Sequence, residues 1–218
     1  MNTAGLLTVN NSSDQEIIAR ILAGDKDLYA LIIKKYNQRL YRVAMSMINN
    51  DSEAEDVMQV TYIRAYEHLG SFAFKSSFAT WLTRILINEC LLRMKLKKRV
   101  VAMNDENIEH ELWIHKKKED ATPAFQMMNT ELKNILEESI RQLPEKYRTV
   151  FVMREIEGLN VAETQECLDI SEANVKVRLN RARVLLKNRL SEFYKAEDIL
   201  HFHLTRCDNM VLKVMSRI

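Results

Sequence analysis

The chain has 218 residues, 47% of them hydrophobic, which is enough for one large domain or two small ones that each bury a core. Only four glycines and two prolines interrupt it, and Leu, Ile, Lys, Glu, Arg and Met fill the rest, a composition that points to an all-α fold. The formal net charge of +2 excludes any argument about partners from total charge, so local clusters must carry it.

Residues 1–13 are small and polar and read as a flexible lead-in. From Asp14, Ile17, Ile18, Ile21 and Leu22 recur at helical spacing until Gly24. Asp25 or Asp27 can cap the next helix, which carries Leu28, Leu31, Ile32, Tyr36, Leu40, Val43, Met47 and Ile48. After the turn Asn49-Asn50-Asp51, a third helix capped by Asp51 or Ser52 runs to Gly70. Glu53, Glu55 and Asp56 in its first turns favour the positive end of the helix dipole. Alternatively they form a face for a basic partner, with Asp56 and Gln59 exposed one turn apart.

The stretch from Phe72 to Arg99 is an aromatic-bearing polar loop, then a long apolar helix, then a basic end. Periodicity puts Leu82, Ile85, Leu86, Leu92 and Leu96 on the core side, and Thr80, Arg84 and Asn88 on a polar stripe. Phe72, Phe74 and Trp81 surround Lys75, Ser76 and Ser77. Single-stranded DNA needs that mixture, because bases stack on rings while phosphates follow positive charge. The ordinary alternative is a buried helix with a basic C-terminal end.

Residues 100–125 lose the apolar period and carry mixed charge; they read as a flexible linker with one short helix around Ile108 to Ile114. Helical patterning resumes near Phe125 and closes at Leu143-Pro144, then again at Gly158. A short helix from Val161 to Leu168, a turn at Asp169-Ile170-Ser171 and a longer helix from Glu172 have the proportions of a helix-turn-helix. Val175, Leu179, Ala182 and Leu186 must face the core, so Lys176, Val177, Asn180 and Arg181 point away. Through Leu190 this helix carries six cations against Glu172 alone. Exposed Asn and Arg at the start of such a helix read base edges in a major groove. Asn174 and Arg178 belong to the same candidate set.

The last segment, 195–218, spaces Leu200, Leu204, Cys207, Val211, Val214 and Ile218 by four and three residues, an amphipathic helix in need of a partner. His201, His203 and Cys207 lack a fourth ligand nearby, and packing explains them better than a metal. Cys90, Cys167 and Cys207 have no CxxC spacing and read as reduced, mostly buried thiols. No apolar run reaches membrane-spanning length and no signal pattern opens the chain, so no membrane insertion and a cytoplasmic protein are expected. No P-loop, HExxH or Gly-rich nucleotide loop is present; no enzyme activity, cofactor or metal is expected.

The phrases EAEDVMQVTYIRAY, SFAFKSSFATWLTRILIN, LPEKYRTVFVMREIEGL and VKVRLNRAR, in this order, give the chain from Asp14 to Tyr194 a resemblance to bacterial RNA polymerase sigma factors of the extracytoplasmic-function class. The resemblance implies a region 2-like domain over 14–99 that docks on core polymerase, melts the promoter and reads the minus-ten element. It implies a region 4-like four-helix domain over 126–194 that reads the minus-thirty-five element. Glu55, Asp56 and Gln59 would dock on core RNA polymerase. The loop from Phe72 to Ser77 would capture a flipped base of the non-template strand, with Asn88 nearby. Lys176, Val177, Asn180 and Arg181 would read promoter duplex, and an anti-sigma factor becomes a candidate partner.

The chain departs from that pattern at Val60, where an acid is usual, and at Ala73, Phe74 and Lys75, where the loop usually has a glycine and an acid. Asp169 replaces the usual turn glycine, and Asp tolerates the left-handed conformation required there. The competing reading is a stand-alone helix-turn-helix regulator that dimerises through its C-terminal helix.

Overall fold

In the computed structural model, residues 13–103, 124–193 and 204–216 are described. Ser13 begins the fold with a capping box: its hydroxyl accepts from the Glu16 amide while Glu16 reaches back to the Ser13 amide. Helix α1 (Asp14–Leu22) follows and buries Ile17, Ile18 and Ile21. It ends before Gly24, whose φ of +118° is open to glycine and strained for other residues. A 3₁₀ turn, Lys26–Leu28, leads into α2 (Tyr29–Ile48). Asp25 makes no side-chain cap there and accepts from Arg20 instead.

Asn49 closes α2 at φ +54°, and Asn50 caps α3 (Asp51–Glu67) by accepting the Glu53 amide at 3.0 Å. The cap thus lies one residue before the two expected positions, because Asn50 is the last residue with extended backbone. Helix α4 (Phe78–Met103) starts at Ser77, whose hydroxyl accepts the Thr80 amide at 3.1 Å. Leu82 and Leu86 are buried as the periodicity requires, whereas Leu92 and Leu96 are exposed. The apolar stripe outruns the bundle that could cover it.

Helix α5 (Ala124–Arg141) and α4 extend into the expected linker from both ends. Residues 104–123, with the short helix expected around Ile108 to Ile114, lie outside the described residues. Helix α6 (Glu145–Phe151) widens into a π-helical turn over Val152–Ile156, and Gly158 at φ +69° ends it. Helices α7 (Val161–Leu168) and α8 (Glu172–Phe193) form the helix-turn-helix. Asp169 adopts φ +51° in its turn, and the Ser171 hydroxyl accepts the Asn174 amide at 3.3 Å at the start of α8. Val150, Val175 and Leu179 make its core. Among the described residues every regular element is helical.

A larger apolar cluster joins the two halves. Met153, Leu159 and Cys167 complete the core that α1 to α4 build around Ile32, Leu40, Leu82 and Leu86. Helix α9 (Leu204–Met215) carries Val211 and Val214 exposed, as an amphipathic helix without a cover would. His201 and His203 lie outside the described residues, as does the Cys207 side chain. Among the described residues no helix is long and apolar enough to cross a membrane.

Candidate nucleic-acid interface

The loop before α4 sorts its rings by depth. Phe72 is 6% exposed and lies 5.4 Å from Phe78 and 5.1 Å from the half-buried Trp81, ring centre to ring centre. Phe74 is 51% exposed and rests on Phe72 at 4.6 Å. Phe72 is therefore sealed and supports the stack from below, a correction to the expectation that it offers its own surface to a base. Phe74 is the ring that remains open, with Lys75 exposed beside it. The Ser77 hydroxyl is engaged by the Thr80 amide and lies 2.7 Å from the Thr80 hydroxyl, while Ser76 is half-buried.

On α4, the stripe Thr80, Arg84, Asn88 is not uniformly open. Thr80 is 1% exposed and its hydroxyl donates to Glu163 at 3.4 Å. Arg84 is exposed but lies 3.8 Å from Glu166, and Asn88 is exposed. Glu163 and Glu166 belong to α7, so the helix-turn-helix covers the near end of the stripe.

On α3, Glu55, Asp56 and Gln59 are all exposed, and Asp56 meets Arg93 at 3.4 Å. Lys97 meets Glu53 at 2.9 Å, and Arg64 holds the buried Glu89 carboxylate at 2.5 Å. These pairs fix α3 against α4, so the acidic face partly serves the fold.

On α8, Val175, Leu179, Ala182 and Leu186 are buried, which turns Lys176, Val177, Asn180 and Arg181 to solvent. The Arg181 Nη1 donates to the Tyr147 hydroxyl at 3.2 Å, and that guanidinium holds the phenol pKa below its ordinary value. Arg183 is paired with Glu155 at 2.7 Å. Asn174 and Arg178 behave differently: both are half-buried, and Arg178 Nε donates to Asn174 Oδ1 at 2.9 Å. Arg178 lines a cavity of about 220 Å³ between the halves, with Met47, Ile87, Leu91, Leu168 and Ile170.

Sequence reasoning missed Tyr147 as an anchor for Arg181. It also missed Arg148 and Glu157, which are buried polar groups joining the halves. Tyr147 and Arg148 sit on an ordinary helical stretch and Glu157 at the bend that follows the π-helical turn, and no spacing marks any of them. Cys90 and Cys167 are free and buried, and burial pushes both thiols up to about 12.

Residues 32–100 match the family described as Sigma-70 region 2, and residues 133–186 match Sigma-70, region 4. Those two regions, on this fold, define the class: a sigma factor, a transcription initiation factor that binds RNA polymerase and promoter DNA. The ECF RNA polymerase sigma factor SigW of Bacillus subtilis is 33% identical over 178 residues, covering 80% of this chain and 95% of that protein. The RNA polymerase sigma-H factor of Pseudomonas aeruginosa is 30% identical, covering 84% and 96%. The chain belongs to the ECF RNA polymerase sigma factors. Among solved structures, the sigma factor RpoE in complex with the anti-sigma factor NepR from Bartonella quintana shares the fold. Its TM-score is 0.61 at 21% identity, covering 75% of this chain and 96% of that one. CnrH in complex with the cytosolic domain of CnrY gives 0.53 at 21% identity, covering 83% and 99%.

Proposed function

We propose that this sigma factor divides promoter opening between two helical parts joined by the linker 100–125. The part over 14–99 docks on core polymerase through Glu55, Asp56 and Gln59 and holds the non-template strand of the minus-ten element. Phe74 stacks an unpaired base, Lys75 and Arg84 follow phosphates, and Asn88 contacts the strand further along α4. The part over 126–194 reads the minus-thirty-five duplex through Lys176, Val177, Asn180 and Arg181. One similar fold is in complex with the anti-sigma factor NepR, which supports such a factor as a partner of this chain too.

The observation that carries strand capture is the open Phe74 ring on its sealed Phe72 support. Extruding a base costs a few kcal/mol, and stacking on an aromatic ring returns about 1–3 kcal/mol per base. Opening then needs no nucleotide hydrolysis by this chain. Run-off transcription with purified core polymerase on a promoter library tests the assignment. Activity is lost when Phe74→Ala, Asn88→Ala and Arg181→Ala are combined; undiminished activity would contradict the roles.

A further inference from the structure

With Val175, Leu179, Ala182 and Leu186 buried, Val177, Asn180 and Arg181 lie on the opposite side of α8, with Lys176 beside them. The polar members of that row can meet base edges or phosphates. Val177 can do neither. It is 52% exposed and belongs to neither apolar cluster of the described residues.

A lone exposed valine is ordinary on a protein surface. Two observations set this one apart. A β-branched residue is a poorer helix former than the Lys, Arg and Leu around it, so helix formation does not account for it. Its polar neighbours are also tied down within the protein. Asn174, one turn before, and Arg178, the next residue, are half-buried, with Arg178 Nε donating to Asn174 Oδ1 at 2.9 Å. Arg181, one turn after, donates to the Tyr147 hydroxyl at 3.2 Å, and Lys176 lies 3.5 Å from Glu172. The valine side chain stays open beside these engaged groups.

The Ser171 hydroxyl accepts the Asn174 amide at the start of α8, so Val177 falls in the second turn of the helix. The N-terminal residues of such a helix reach base edges in a major groove. That groove offers donors and acceptors at every base pair but only one apolar group, the C5 methyl of thymine.

We propose that Val177 makes thymine the preferred base at one position of the upstream promoter element, by packing its γ-methyl groups on the thymine C5 methyl. Cytosine carries only hydrogen at C5 and loses the contact. Arg181 is four residues on, about 6 Å along the helix axis. The thymine therefore falls within about two base pairs of the one that Arg181 contacts. The inference rests on the reading role proposed above for α8.

The test uses the full-length protein in complex with core polymerase, on a promoter active in run-off transcription. Each thymine of the upstream element is replaced in turn by deoxyuridine, which removes the methyl and keeps the pairing edge. Affinity by competition binding falls roughly fourfold at one thymine, the worth of about one buried methyl group. The Val177→Ala protein binds the thymine and deoxyuridine forms alike, within about twofold. Alanine favours the helix, so this variant keeps its fold, which circular dichroism checks. Val184→Ala is the control. Val184 is 53% exposed on the same side but about 10 Å further along the helix, and its loss leaves the fourfold effect intact. An upstream element with no methyl-sensitive thymine overturns the proposal. So does sensitivity that survives Val177→Ala or vanishes with Val184→Ala. If Arg181→Ala also binds the promoter as the wild type does, the reading role of α8 has failed too; weakened binding by Arg181→Ala confines the failure to Val177.

Discussion

The exposed ring of Phe74 lies 4.6 Å from the sealed ring of Phe72, tilted 51° to it, and Phe74 holds that place at φ +54°. A bulky L-residue in the left-handed region costs on the order of 1–2 kcal/mol, so the packing of the ring on Phe72 offsets local strain. Phe74→Gly separates the two. The backbone relaxes while the stacking surface disappears. Thermal stability is expected to hold or rise, and capture of the opened strand to weaken by roughly 5- to 150-fold, the equivalent of about 1–3 kcal/mol per stacked base. Permanganate reactivity of opened thymines in the polymerase–promoter complex reads the second effect. Wild-type opening by the glycine variant would show that Phe74 carries no base.

Arg181 reaches solvent with its guanidinium held by the Tyr147 hydroxyl at 3.2 Å, so it meets DNA partly pre-oriented. Arg181→Ala is expected to lower affinity for the upstream promoter element by roughly 5- to 150-fold and relax base preference at one position. Tyr147→Phe keeps the cation and loses its anchor, with a smaller loss of about 2- to 10-fold, the worth of one net hydrogen bond. Core polymerase binding stays unchanged in both, which a pull-down checks. Lost core binding would place Arg181 in a docking surface instead.

Much of the fold was legible because amphipathic periodicity is local. Val175, Leu179, Ala182 and Leu186 announce the buried side of α8 within one helix, and Asp169 suits the left-handed turn it occupies. The same rule misplaced Leu92 and Leu96, since a stripe shows which face is apolar and not whether anything covers it. Phe72 and Phe74 looked equivalent in composition. Two positions apart in a loop, they settled at different depths. The ties between the halves were hidden for another reason. Arg148 and Ser46 are 102 residues apart in sequence, and Arg42 and Glu157 are 115 apart. Nothing in a helical period tells which remote carbonyl or carboxylate a cation will meet.

Thr83 is fully buried on α4 and its hydroxyl has no hydrogen-bond partner among the described residues. A buried hydroxyl left unpaired costs about 1–3 kcal/mol relative to water. Thr83→Val keeps the β-branched shape and removes the orphan group. Its midpoint in urea unfolding is expected to rise, corresponding to about 1 kcal/mol. A drop of similar size would mean that the hydroxyl finds a partner in solution.

Cys90 and Cys167 link burial to pH. Burial raises both thiols from an ordinary 9.0 to about 12, so the folded chain keeps protons that the unfolded chain gives up. Between those values the unfolded state binds fewer protons, and stability falls as pH rises. Their contribution is therefore fully present below about pH 9 and lost as pH climbs through about 12. A tenfold difference in proton affinity between folded and unfolded chain is worth about 1.4 kcal/mol for each thiol. Urea midpoints should therefore decline from about pH 9 to about pH 10.5, and less steeply when both cysteines are replaced by alanine, the remaining slope coming from Tyr29, Tyr36 and Tyr62, whose phenols burial also pushes up. Reactivity gives an independent check. In a Cys207→Ser background a disulfide reagent at about pH 8 should label the native protein far more slowly than the urea-unfolded chain, since the thiolate is the attacking species and burial disfavours it. Fast labelling of the native protein would mean that the Thr80–Cys167 contact, or the core around Cys90, opens far more often than its burial implies.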